Sequence, residues 1–114
     1  MMDGGVKGGA GVIKKVLSDE LGKVEVTFEL DAGIAADSVT VAGDFNDWSE
    51  DADPMDREPD GRFRKTFLLD VGREYRFRYI LDGNRWVNAW DADDYAPNAF
   101  GGEDSVVSTD DIGE

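Results

Sequence analysis

Between Lys23 and Leu30 apolar and polar side chains alternate without a break: Val24, Val26, Phe28 and Leu30 share one face, and Glu25, Thr27 and Glu29 the other. A period of two is that of a β-strand buried on one side. The same period returns in residues 62–69, where Phe63, Phe67 and Leu69 oppose Arg64 and Thr66. It returns again in Glu74–Leu81, where Tyr75, Phe77, Tyr79 and Leu81 oppose Arg76 and Arg78. Shorter candidates are 12–17, 38–42, 85–88 and 105–108. Turn residues punctuate them: Asp60-Gly61, Asp70-Val71-Gly72, Asp82-Gly83-Asn84 and the stretch from Asp53-Pro54 to Glu58-Pro59. No apolar stripe of helical period exceeds a single turn. Seven or eight short strands at this spacing predict an all-β fold, a two-sheet antiparallel sandwich, with Phe28, Val41, Phe67, Phe77 and Tyr79 in its core.

One segment departs from simple alternation. Val39-Thr-Val-Ala-Gly-Asp-Phe-Asn-Asp-Trp48 runs as a strand, bends at Gly43 and reaches an indole through residues suited to turns. A large amphipathic ring in a polar loop is expected either to pack against the sheet edge or to bind something.

Composition narrows the chemistry. The 114 residues suit one domain, with 40% hydrophobic and 11% aromatic content. There is no cysteine, which excludes disulfides, thiolate metal sites and thiol nucleophiles. There is no histidine, so the commonest general base and transition-metal ligand are missing too. A net charge of −14, from 26 acidic and 12 basic residues, opposes nucleic acid and anionic membranes as partners. Such an acidic surface suits concentrated salt but is ordinary elsewhere. Residues 1–11 are Gly-rich and read as a flexible leader, 12–109 as the sandwich and 110–114 as an acidic tail. The leader glycines lack the Gly-Lys-Ser/Thr ending of a phosphate loop. No export signal or apolar run of membrane length is visible, and a cytoplasmic location is the expectation.

Gly43-Asp-Phe-Asn-Asp-Trp48, Tyr79-Ile-Leu-Asp-Gly83, Trp86 and Asn98-Ala-Phe-Gly-Gly-Glu-Asp-Ser-Val-Val107 together carry a resemblance. The chain resembles the isoamylase early-set domain, the family 48 carbohydrate-binding modules, which include the glycogen-binding domain of the AMP-activated protein kinase β subunit. The match runs over about residues 12–109 and implies an immunoglobulin-like sandwich of early-set type. It implies non-catalytic binding of α-1,4-glucan: glycogen, starch or maltodextrin. Carried over by motif, the two stacking tryptophans fall on Trp48 and Trp86, the second with one extra residue in the preceding turn. The basic residue falls on Arg78, and the late apolar residue on Phe100. The hydrogen-bonding asparagine falls on Asp104, a departure: a carboxylate accepts but does not donate, and it adds negative charge near Arg78. The expectation is that asparagine at 104 would strengthen binding. The resemblance implies no cofactor, and a separate glycogen- or starch-active enzyme as a further partner.

Each residue also has a plainer role open to it. Trp48 can anchor a loop, Trp86 can pack in the core, Arg78 can pair with a surface carboxylate, and Phe100 can plug one end of the sandwich. Trp90 is expected to brace a loop over 91–97, and Tyr95 has a weak claim to the site. The runs Asp44-Phe-Asn46-Asp47 and Asp91-Ala-Asp93-Asp94 alternate oxygens but lack the glycine and bidentate Glu of a calcium loop. Glycosidase chemistry needs two acids across a cleft, which a small sandwich does not offer. The alternative to glucan binding is a protein-interaction module that kept the fold and lost the sugar site.

Overall fold

The computed structural model describes residues 11–34, 36–89, 92–99 and 101–110. In chain order the strands are β1 (Gly11–Leu17), β2 (Lys23–Leu30), β3 (Val39–Gly43), β4 (Asp56–Arg57), β5 (Phe63–Asp70), β6 (Glu74–Leu81), β7 (Arg85–Val87), β8 (Asp94–Pro97) and β9 (Glu103–Ser108). One sheet has the order β1-β2-β5-β4 and the other β3-β6-β9-β8, with β7 also pairing to β6. All pairings are antiparallel. The result is an immunoglobulin-like all-β sandwich. Among the described residues no helix is long and apolar enough to cross a membrane.

The nine strands among the described residues exceed the seven or eight expected, and β4 and β8, which the sequence did not mark, lie where alternation is absent. β4 sits in the turn stretch after Pro54 and makes only a two-residue ladder with β5. β8 occupies much of the segment expected to be a loop over 91–97. It pairs with β9 alone at the end of its sheet, an edge position in which Pro97 can be tolerated. Trp90, expected to brace that loop, lies outside the described residues, as do residues 1–10 of the expected leader and 111–114 of the expected tail. β1 begins at Gly11, which composition had assigned to the leader. This glycine has φ +157°, and a Cβ there would collide with the Glu29 carbonyl across the β1–β2 ladder.

The core lies between the sheets, where the inward faces of β2, β5 and β6 meet. Val24, Val26, Phe28, Leu30, Val41, Phe77 and Tyr79 are almost fully buried. Phe28 is its hub: its ring lies 4.9 Å from Phe77, 5.7 Å from Phe67 and 5.8 Å from Phe45. Tilted and edge-on aromatic pairs at such distances add to simple area burial.

The outer face of the first sheet holds an internal charge cluster. Glu29 is buried there, its Oε2 taking hydrogen bonds from Lys14 at 3.3 Å and from Arg64 Nε at 3.1 Å. Arg62 lies 3.7 Å from its Oε1. Burial disfavours the charged carboxylate, but the Lys14 and Arg64 hydrogen bonds and charges outweigh it and hold its pKa below the ordinary value of 4.5. The outer face of the second sheet carries Thr40 and Ala42 of β3, Arg76, Arg78 and Ile80 of β6, Trp86 of β7 and Asp104 of β9. That face holds the groove described next.

Candidate functional site

The turn after β3 is built around Phe45 and Asn46. Phe45 turns inward, its ring 4.4 Å from Phe67, so the turn is pinned to the core by an aromatic contact. Asn46 ties it to the sheet: its Oδ1 accepts the Gly43 N–H at 3.0 Å, and its Nδ2 donates to Val41 O at 2.9 Å and Asp53 Oδ2 at 2.8 Å. Gly43 is extended, at φ −172°, so its need is space and not handedness. A Cβ there would collide with the Arg76 carbonyl and come within 2.8 Å of the Phe77 Cβ.

Asp47 and Trp48 then adopt left-handed backbone, with φ +56° and +59°. For a residue as bulky as tryptophan this conformation is strained. It is held by Trp48 N–H to Gly43 O at 2.8 Å and Ser49 N–H to Asn46 O at 3.1 Å. The indole Nε1 donates to Asp44 Oδ1 at 3.0 Å, while Asp44 Oδ2 accepts the backbone N–H of Arg76 at 2.7 Å. The ring is thereby fixed to β6 by its polar edge and remains half-buried. What it can offer a ligand is its flat apolar face.

Trp86 is the central residue of β7, opposite Ile80 and one step along from Arg78 on the same face. The β6–β7 hairpin that carries it is braced by Asp82, whose Oδ1 accepts the N–H groups of Asp37 at 2.7 Å and Ser38 at 3.0 Å. These two bonds hold the Asp82 pKa below its ordinary 3.8. Arg78 Nη2 donates to Trp86 O at 3.3 Å. Its Nε is shielded from solvent without a hydrogen-bond partner, and it makes no ion pair among the described residues. Arg57 also lacks an ion pair among the described residues, but only Arg78 joins that lack to a buried, unpartnered guanidinium nitrogen there.

Asp104 is not a bare charge beside Arg78, as its sequence position suggested. Its ion-pair partner is Arg76, Nη1 to Oδ2 3.6 Å, a diagonal neighbour across the β6–β9 ladder. Its Oδ1 accepts Asn98 Nδ2 at 3.1 Å. Arg76 Nη1 also donates to Pro97 O at 3.1 Å, and the loop closes on itself through Asn98 N–H to Gly102 O at 2.9 Å and Gly102 N–H to Asn98 Oδ1 at 3.1 Å.

These elements enclose an open groove of about 660 Å³ lined by Asp44, Trp48, Arg76, Arg78, Trp86, Pro97, Asn98, Ala99 and Asp104. Of the five residues singled out from sequence, Trp48, Arg78, Trp86 and Asp104 stand on it together; Phe100 lies outside the described residues. Tyr95 does not line it, and its hydroxyl donates to Ala89 O at 2.7 Å. Sequence reasoning missed Asp44, Arg76 and Asn98. Strand alternation already put Arg76 on the face of Arg78; nothing local marked Asn98 beyond its loop. Among the described residues no three acidic side chains gather as a metal would require. Flat apolar faces beside fixed hydrogen-bonding groups suit a ligand with both hydroxyls and apolar C–H faces.

Comparison with known proteins agrees with this chemistry. The family of carbohydrate-binding module 48 (isoamylase N-terminal domain) matches residues 16–96, most of the chain, and the chain belongs to it. The family is one of non-catalytic modules that bind carbohydrate. No curated protein matches the chain.

Proposed function

We propose that this member of the carbohydrate-binding module 48 family binds α-1,4-linked glucan, such as glycogen, starch or maltodextrin, in the groove on the outer face of its second sheet, without catalysing its reaction. The observation that carries this reading is the convergence of Trp48, Trp86 and Arg78 on one groove, with the guanidinium left unpaired by carboxylates. Two indole faces supply stacking for sugar rings, and a guanidinium supplies several donors for hydroxyls. The groove is open, so internal units of a long polysaccharide can enter without a free chain end. A glycogen- or starch-active enzyme is the partner such a module would bring to its substrate.

Asp104, where a charge stands in place of the asparagine the resemblance implies, is a point in favour of the protein-interaction alternative. With Arg76 beside it, that charge is compensated, and the argument for the alternative weakens. Co-sedimentation tests the reading: the protein is expected to pellet with glycogen and insoluble starch and to stay in solution with cellulose. A protein that remains soluble with all three contradicts it.

A further inference from the structure

We propose that Arg76 is a further ligand-binding residue of this groove, set in place by Asp104 and Asn98, and that it meets a sugar unit beyond those stacked on the tryptophans. The inference rests on the glucan reading above.

Arg76 and Arg78 project from one face of β6 two residues apart, roughly 7 Å along the strand. Both line the groove, but they are held differently. Arg78 donates to Trp86 O, within the hairpin that carries one indole. Arg76 reaches the other way, to Pro97 O and Asp104, at the loop of residues 97–102. The two guanidiniums therefore serve two stretches of groove.

The way Arg76 is held leaves it donors to spend. A guanidinium carries five N–H groups. Among the described residues Arg76 makes a single side-chain hydrogen bond, from Nη1 to Pro97 O. Asp104 Oδ2, at 3.6 Å, steers it by charge without absorbing a donor at hydrogen-bond distance. The Arg76 side chain is 45% exposed and that of Asp104 only 11%. Asp104 in turn is fixed by Asn98, whose own position is set by its bonds to Gly102. The order of support runs from the loop to Asn98, to Asp104, to an arginine with free donors in an open groove. Lys14 and Arg64, which neutralise the buried Glu29, are equally exposed; what sets Arg76 apart is that its exposed side lines the groove. Asp104 is thus a positioning residue, and its negative charge is required where sequence reasoning took it as unneeded.

Substitution at Arg76 can be read cleanly, because the bond from its backbone N–H to Asp44, which anchors the Trp48 turn, survives loss of the side chain. The test is calorimetric titration of the full chain, Arg76→Ala, Arg76→Lys and Asp104→Asn with maltotriose and maltoheptaose, each with its melting temperature. Arg76→Ala is expected to weaken maltoheptaose binding at least about tenfold, the lower edge of the range for hydrogen bonds to a charged group, and to leave maltotriose within about twofold. Arg76→Lys keeps the charge but not the fork and should fall between. Asp104→Asn should weaken maltoheptaose in the same direction. Unchanged maltoheptaose binding by Arg76→Ala overturns the inference and leaves the glucan reading intact. Equal losses for both sugars with a lowered melting temperature overturn it in favour of a structural role, and tighter binding by Asp104→Asn overturns the positioning of Arg76. A parent chain that binds neither sugar overturns the glucan reading and this inference with it.

Discussion

Trp48 shows how much of the site depends on single residues. Its backbone is left-handed, its N–H is held by Gly43 and its indole N–H by Asp44, so little of its position is left to chance. A shallow groove contacting a few sugars should bind with Kd between about 1 μM and 1 mM. Removal of a central stacking indole commonly costs about 2 kcal/mol or more. Trp48→Ala and Trp86→Ala are each expected to lower maltoheptaose affinity at least about thirtyfold with little change in melting temperature; a variant that binds as its parent does contradicts the assignment. Glu29 makes a separate prediction on the opposite face. Its folded-state pKa is lowered, so its stabilising contribution is present above about pH 4.5 and is lost as pH falls through the lowered value. Glu29→Gln should therefore shift the urea midpoint downward at pH 7 and by much less near pH 2. An equal shift at both pH values would refute this.

At the scale of elements, the groove exists because β6 serves both faces of its sheet. Inward, Phe77 packs on Phe28; outward, its neighbours Arg76 and Arg78 line the groove. Phe77→Ala should cost about 3–5 kcal/mol, measured by chemical denaturation, and a variant as stable as the parent would count against the core described here. Gly43→Ala forces β3 away from β6 at the Arg76 carbonyl and should lower both stability and glucan binding, because the Trp48 turn begins there. The long strands were legible in the sequence because one buried face imposes a period of two, as in β2 and β6. β4 and β8 were not, since two- and four-residue edge pairings leave no such trace. The site was legible in a similar measure. Trp48, Arg78, Trp86 and Asp104 each stand in a recognisable local motif, whereas the pairing of Asp104 with Arg76 depends on the diagonal register of β6 and β9, which no local motif records. Asn98 became meaningful only once the loop folded back over that pair.

For the whole molecule the dominant fact is charge. The ion pairs exposed at both ends, Arg62–Asp60, Arg73–Asp70 and Arg85–Asp82, contribute little each. With 26 acidic and 12 basic residues, most carboxylates have no cation to meet, and their mutual repulsion opposes the compact state. Added salt screens that repulsion over about 10 Å at 0.1 M. Melting temperature should rise from low salt to a few hundred millimolar sodium chloride, and a flat or falling trend would contradict the argument. A neutral glucan is spared this repulsion, so its affinity should depend far less on salt than stability does.

The most direct test of the central claim uses the tryptophans as their own reporters. Intrinsic fluorescence is titrated with maltoheptaose, with cellohexaose as the β-linked control. If Trp48 and Trp86 form an α-glucan platform, maltoheptaose shifts or quenches the emission along a saturable curve with its midpoint at or below about 1 mM, and cellohexaose does not. Emission unmoved by either sugar at millimolar concentration would contradict it.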